Sequence, residues 1–150
     1  MYLISGCLLG YNCKYNGGNN MCQRVVDFAN EHSSFAVCPE TAGDLPVPRD
    51  PSEIISVEGE KRIISKAGID VTSEFVHGAE VSLKNAIAEA EKRGEIIEGA
   101  ILKANSPSCG SGKIYDGSFS GKLVDGNGIF TELLNQQGIK VVSELDNFNL

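Results

Sequence analysis

The sequence predicts an α/β fold: one compact domain over residues 1–150, with a mostly parallel sheet flanked by helices in Rossmann-like layers. Two observations predict it. Short apolar runs alternate with stretches of helical periodicity, as in chains that lay strand, helix and strand onto a common sheet. A length of 150 residues with 41% hydrophobic content supplies one proper core.

The first element is a short buried strand over Tyr2–Ser5 (YLIS), ended by Gly6 and Cys7. Residues 10–20 are polar and rich in Gly and Asn, and read as a loop. A helix follows over 20–32, because Cys22, Val25, Val26 and Ala29 form a one-sided apolar stripe. Ser34–Val37 is the second strand, and Cys38-Pro39 stands just past its end, where Pro39 disfavours helix at Cys38. Residues 41–51 hold three prolines and two acidic residues, and read as ordered loop. Residues 54–57 and 62–64 fit a small hairpin turning at Glu58-Gly59-Glu60. The clearest helix opens after Asp70, with Thr72 or Ser73 as cap, and ends near Gly94; Ala79, Leu83, Ala86, Ile87 and Ala90 recur at helical spacing. Residues 100–103 are a third strand, followed by loops over 105–111 and 115–121. A helix over 127–137 turns Ile129, Leu133 and Leu134 inward, Gly138 stops it, and 139–142 form the last strand.

The formal net charge of −7 leaves no basic footprint and disfavours nucleic acid as a partner. No apolar run reaches the length of a membrane span, and the N-terminus has no secretory pattern. A reducing cytoplasm is the expected compartment, where cysteines serve as ligands or catalysts more often than as disulfides.

Four of the five cysteines sit in loop-forming segments: Cys7, Cys13, Cys38 and Cys109. Of these, Cys7, Cys38 and Cys109 each follow a predicted strand. Loops at the carboxyl ends of parallel strands meet at one edge, so these three can converge. Thiolates favour zinc, copper(I) or iron–sulfur centres. Three ligands on a [4Fe–4S] cluster would leave one iron open as a Lewis acid. Cys13, six residues after Cys7, suits a fourth ligand or a redox partner for Cys7. Buried core thiols or one reactive thiol are the plainer readings. Cys22 fits the apolar face of its helix as a small hydrophobe.

Around these cysteines lie polar groups suited to chemistry. Ser106-Pro107-Ser108-Cys109-Gly110 offers two hydroxyls and successive N–H donors. It is not a phosphate loop, since the lysine and hydroxyl of that motif are missing. Glu40, two residues after Cys38, suits proton transfer beside a bound substrate. Arg49 can pair with Glu40 or Asp50, or meet an anionic substrate group. Lys103, Asn105, Tyr115 and Asp116 are further crevice positions. His32 and His77 form no nucleophilic triad.

The segments CLLGYNCKYNG (7–17), VCPE (37–40), LPVPR (45–49), DVT (70–72), KANSPSCG (103–110) and IYDGSFSG (114–121) recur in this order over nearly the whole chain. Together they resemble the bacterial and archaeal domain family that includes the 2-thiouracil desulfurases. The resemblance implies a [4Fe–4S] enzyme with Cys7, Cys38 and Cys109 as ligands. It implies non-redox replacement of C=S by C=O in a small thiolated heterocycle, with sulfide released. Glu40 would transfer protons, and Ser106 or Ser108 would hydrogen-bond substrate or cluster. Cys13 would shield the cluster, accept a transferred sulfur or ligate in a resting state.

Two other readings remain open on sequence. One is a zinc-binding structural or regulatory module closed by Cys7, Cys13, Cys38 and Cys109. The other is a metal-free thiol enzyme using Cys7, Cys13 or Cys109. Oligomeric state is not readable from the chain.

Overall fold

Leu3 and Ile4 are both fully buried, yet they belong to different apolar clusters. Successive strand residues point to opposite faces, so the strand that holds them must be covered on both sides. The computed structural model, which describes all of Met1–Leu150, has this arrangement. Strand β1 (Tyr2–Ser5) lies inside a four-stranded sheet with β2 (Ser34–Val37), β5 (Gly99–Leu102) and β8 (Val141–Ser143). The order is β2-β1-β5-β8, and every pairing is parallel. Leu3 aligns with Phe35 and Ala100, and Ile101 with Val142.

Helix α1 (Gln23–Glu31) joins β1 to β2 and covers one face through Val25, against Ile4, Leu8, Ile101 and Val142. Helices α3 (Thr72–Arg93) and α4 (Ile129–Gln136) cover the other, where Ala79, Ala86, Ala90, Phe130 and Leu134 meet Leu3, Ala100 and Leu102. This is the expected layered α/β fold with a parallel sheet. No helix is long and apolar enough to cross a membrane.

Two hairpins stand outside that sheet. The first, β3 (Ser52–Val57) with β4 (Glu60–Ser65), is the expected one with longer arms. The second, β6 (Lys113–Tyr115) with β7 (Leu123–Asp125), carries the expected 115–121 loop at its tip and was not expected as a hairpin. Its arms are three residues each and largely exposed, so they carry no period-2 signal. Ile54, Ile63, Phe75 and Ile114 pin both hairpins to α3.

The ends of α1, β5 and α4 shift by one to three residues from expectation, and three further differences have a visible cause. A short helix α2 (Pro39–Ala42) replaces the start of the expected loop, with Pro39 at its first turn. There the missing N–H costs nothing and the fixed φ suits a helix. Helix α3 is capped by neither Thr72 nor Ser73: Asp70 Oδ1 accepts from Thr72 N at 2.9 Å and from Thr72 Oγ1 at 2.6 Å. The last strand begins at Val141 instead of 139, because the chain leaves α4 through a turn at Gly138 (φ 74°).

Helix α2 packs on α3 backbone to backbone. A Cβ on Gly78 would stand 1.8 Å from Pro39 O, and one on Gly43 would stand 2.1 Å from Glu74 O. Gly78 on α3 and Gly43 after α2 are therefore what lets α2, with Cys38 at its start and Glu40 in its first turn, sit where it does.

Candidate active site

Strand order reverses between β1 and β5: the chain steps from β1 outward to β2, then crosses back to β5 and β8. At such a point the loops diverge and leave a crevice at the carboxyl edge. A cavity of about 490 Å³ opens there. Cys7 reaches it from the 3-10 turn Gly6–Leu9 after β1, Cys38 from the end of β2, and Cys109 from the loop after β5. Cys13, Glu40, Ser106 and Ser108 line the same cavity. All seven residues singled out from sequence thus meet in one place, drawn from segments about 100 residues apart. Lys103 and Tyr115 also line it; Asn105 and Asp116 do not.

The loop after β5 is held by its own hydroxyls. Ser106 Oγ accepts from Cys109 N at 2.8 Å, and Ser108 Oγ donates to Glu40 Oε2 at 2.9 Å. A Cβ on Gly128 would stand 2.4 Å from the Ser108 carbonyl carbon, so α4 begins in close contact with this loop. Glu40 is held from its other oxygen by Arg49, whose Nε donates to Oε1 at 3.1 Å. Arg49 Nη2 also donates to the Cys13 carbonyl at 2.9 Å. Of the two partners expected for Arg49, Glu40 is the one found. The arginine is only 7% exposed and the glutamate 18%, so water screens the pair weakly.

The thiols differ by surroundings. Burial pushes Cys109 up to about 12, opposed by the Ser5 and Ser108 hydroxyls. Burial also raises Cys7, opposed by a hydrogen bond from the Asn20 side chain. Cys38 runs the other way: the neighbouring Cys13 thiol holds it down at about 6, while Cys13 is itself raised by Cys38 and by burial, and the Cys38 thiol donates to the Cys13 carbonyl at 3.9 Å. Cys13 therefore sits beside Cys38, with Cys7 also near enough to raise it. Cys22 packs against the α1-side core, as a small hydrophobe would.

Several site residues escaped the sequence reading. Ser5 Oγ accepts from Lys103 N at 2.9 Å and donates to Cys109 Sγ at 3.5 Å, bridging β1 to the loop after β5. Its place at the last position of a predicted strand was the available signal. Glu144, just past β8, pairs with Lys103 Nζ at 3.1 Å and accepts from Ala104 N at 2.6 Å. Glu53 and Phe119 line the cavity from the two hairpins.

The donor set suits a soft metal centre. Three sulfurs from three strand ends rim one cavity. No three His, Cys, Asp or Glu side chains stand close enough to grip a single metal ion.

Comparison with known proteins agrees with this geometry. A family model described as 2-thiouracil desulfurase matches residues 2–146. The uncharacterized protein YbbK of Bacillus subtilis (strain 168) is 41% identical over 150 residues, which is 96% of this chain and 95% of that protein. A solved structure of a [4Fe-4S]-dependent thiouracil desulfidase, TudS, is similar with a TM-score of 0.77 at 41% identity, covering 95% of this chain and 89% of that one. The chain belongs to the 2-thiouracil desulfurase family.

Proposed function

We propose that this chain holds a [4Fe-4S] cluster on Cys7, Cys38 and Cys109 and converts C=S to C=O in a small heterocycle of the 2-thiouracil type. The observation that carries this reading is the sharing of one cavity by three strand-end cysteines and the Glu40–Ser108 pair. Family membership and the 41% identity to a [4Fe-4S]-dependent thiouracil desulfidase support it.

The reaction consumes water and releases hydrogen sulfide; no electrons change hands. When bound, the cluster supplies a Lewis-acid position for the thiocarbonyl sulfur at the iron without a protein ligand. The residues of the chain do the rest. Glu40 Oε2 takes the proton of the attacking water, with Ser108 Oγ at 2.9 Å as the neighbouring hydroxyl. Arg49 fixes the other carboxylate oxygen, so Oε2 faces the cavity in one orientation. Ser106 holds the Cys109 amide and with it the position of that ligand. Cys13 sits beside Cys38, accepting from its thiol through the backbone carbonyl, and packs near Gly6, where it shields the ligand from solvent.

One observation favours a metal-free thiol enzyme, but with a different thiol from those expected: Cys38 is depressed, whereas Cys7, Cys13 and Cys109 are all raised. The same experiment separates the two. The chain is purified and reconstituted anaerobically, and iron and acid-labile sulfide are counted. About four of each per chain, with turnover of 2-thiouracil to uracil and sulfide, supports the cluster reading. Turnover that persists after complete iron removal supports the thiol enzyme and defeats it.

A further inference from the structure

Glu53 is 8% exposed and forms no ion pair. A carboxylate buried without a counter-charge needs strong hydrogen bonds. Its Oε1 accepts two, from Gly117 N at 2.9 Å and from Phe119 N at 3.1 Å. Both donors belong to the tip of the β6–β7 hairpin. Two further features press that tip into one shape. Gly117 (φ 95°) lies so near β3 that a Cβ would stand 2.2 Å from Ile55 Cγ2. Phe119 has φ 56°, a left-handed conformation that bulky residues rarely adopt.

The product of this construction is the placement of one aromatic side chain. Phe119 lines the cavity that Cys7, Cys38 and Cys109 share, yet it belongs to none of the three apolar clusters. Core packing therefore does not account for a strained phenylalanine here. A ligand with an apolar face does.

We infer that Phe119 is the stacking platform for the substrate, which must be a planar conjugated heterocycle, and that Glu53 is a positioning residue that holds it in place. The inference rests on the desulfuration reading for the chemistry of the cavity. A ring that stacks on phenylalanine is selected over an open-chain thiocarbonyl with the same reacting group.

The test is calorimetric titration of the cluster-loaded chain with uracil, which has the ring without the reacting sulfur. Urea, which has the carbonyl without the ring, is the control. Phe119→Ala weakens uracil binding by about tenfold or more, and Phe119→Tyr keeps it. Glu53→Ala weakens it by a similar factor alone but adds little to Phe119→Ala, because both act through one ring. Glu53→Gln, which retains an acceptor oxygen, restores binding. The chain has no tryptophan, so Phe119→Trp adds a lone fluorophore that uracil quenches and urea does not. Uracil affinity in Phe119→Ala within about twofold of wild type, or no uracil binding by wild type, overturns the platform. If the alanine variant does not fold, an unquenched Phe119→Trp overturns it instead. Binding through Phe119 without turnover of 2-thiouracil upholds the platform and removes the desulfuration reading. Turnover with unchanged Phe119→Ala binding removes the platform alone.

Discussion

The Ser108 hydroxyl donates to Glu40 Oε2 at 2.9 Å, joining the loop after β5 to the first turn of α2. The same oxygen lies 3.6 Å from Cys109 Sγ. A hydroxyl has one proton, and the short contact to a carboxylate is the stronger of the two. The proposed proton-transfer pair and the proposed cluster ligand thus meet at Ser108 and Cys109, one residue apart in sequence.

Removing the proton acceptor should leave the cluster and stop the chemistry. Glu40→Gln is expected to lower desulfuration by about a hundred- to ten-thousandfold at unchanged iron content. Ser108→Ala, which removes one hydrogen bond to a charged group, is expected to cost about 10- to 100-fold. Sulfide release under anaerobic conditions measures both. Near-normal rates in Glu40→Gln would assign the proton elsewhere.

Arg49 touches three segments at once: Glu40, the Cys13 carbonyl, and Pro46 O at 3.3 Å. Its removal leaves a half-buried carboxylate without its counter-charge, and Glu40 Oε1 and the Cys13 carbonyl without the arginine's N–H donors. Arg49→Ala should lose about 3–5 kcal/mol of stability in urea denaturation of the cluster-free chain. Arg49→Lys should recover only part of that, since an ammonium cannot reproduce the fork of donors. A loss below about 1 kcal/mol would mean the pair is solvated after all.

In the cluster-free chain, Cys38 is the thiol with the depressed pKa, at about 6, chiefly through the neighbouring Cys13 side chain. The thiolate is the reactive form, so reactivity appears as pH rises through that value. Iodoacetamide should therefore modify Cys38 ahead of Cys7 and Cys109 at neutral pH, read by peptide mass mapping. Cys13→Ala should move the inflection upward. A Cys38 profile that rises only in the ordinary thiol range would refute the influence of Cys13.

Gly78 has no room for a methyl group, with Pro39 O at 1.8 Å from its ideal Cβ. Gly78→Ala must push α2 off α3, and α2 carries Glu40 while Cys38 caps it. We expect a loss of about 1–3 kcal/mol together with reduced iron retention, although residue 78 is outside the cavity. Full iron content with normal stability would show that α2 is free to shift.

Asp70 is held down at about 2, chiefly by the Thr72 hydroxyl, then by the Thr72 amide and Arg62. A carboxylate depressed in the folded state adds stability that is present above its unfolded pKa of about 3.9 and lost as pH falls through the folded value. Wild type should melt above Asp70→Asn at neutral pH, and the gap should close between about pH 4 and pH 2. A gap independent of pH would place the effect in the side-chain shape and not in its charge.

The sheet strands Tyr2–Ser5 and Ser34–Val37 were legible to the residue, because each is an apolar run stopped by Gly6 or by Cys38-Pro39. The site was legible for a related reason. Cysteines placed after strands reach one edge of any parallel sheet, so Cys7, Cys38 and Cys109 could be grouped before their contacts were known. Helix α2 was not legible, since Pro39 reads equally as a breaker and as a first-turn residue. The hairpin β6–β7 was not legible either, since its exposed arms carry no apolar period.

By itself, then, the sequence determined the layers, the strand ends and the set of soft and acidic groups at one edge, all of which follow from local apolar patterning and chain direction. Tertiary structure alone decided the pairings. Arg49 chose Glu40, Cys13 turned to Cys38, and Glu53 reached Phe119 across 66 residues. Each of these depends on the relative placement of elements that have no local signal in common. Close packing of Gly78 on Pro39 and of Gly117 on Ile55 sets that placement to within a methyl group.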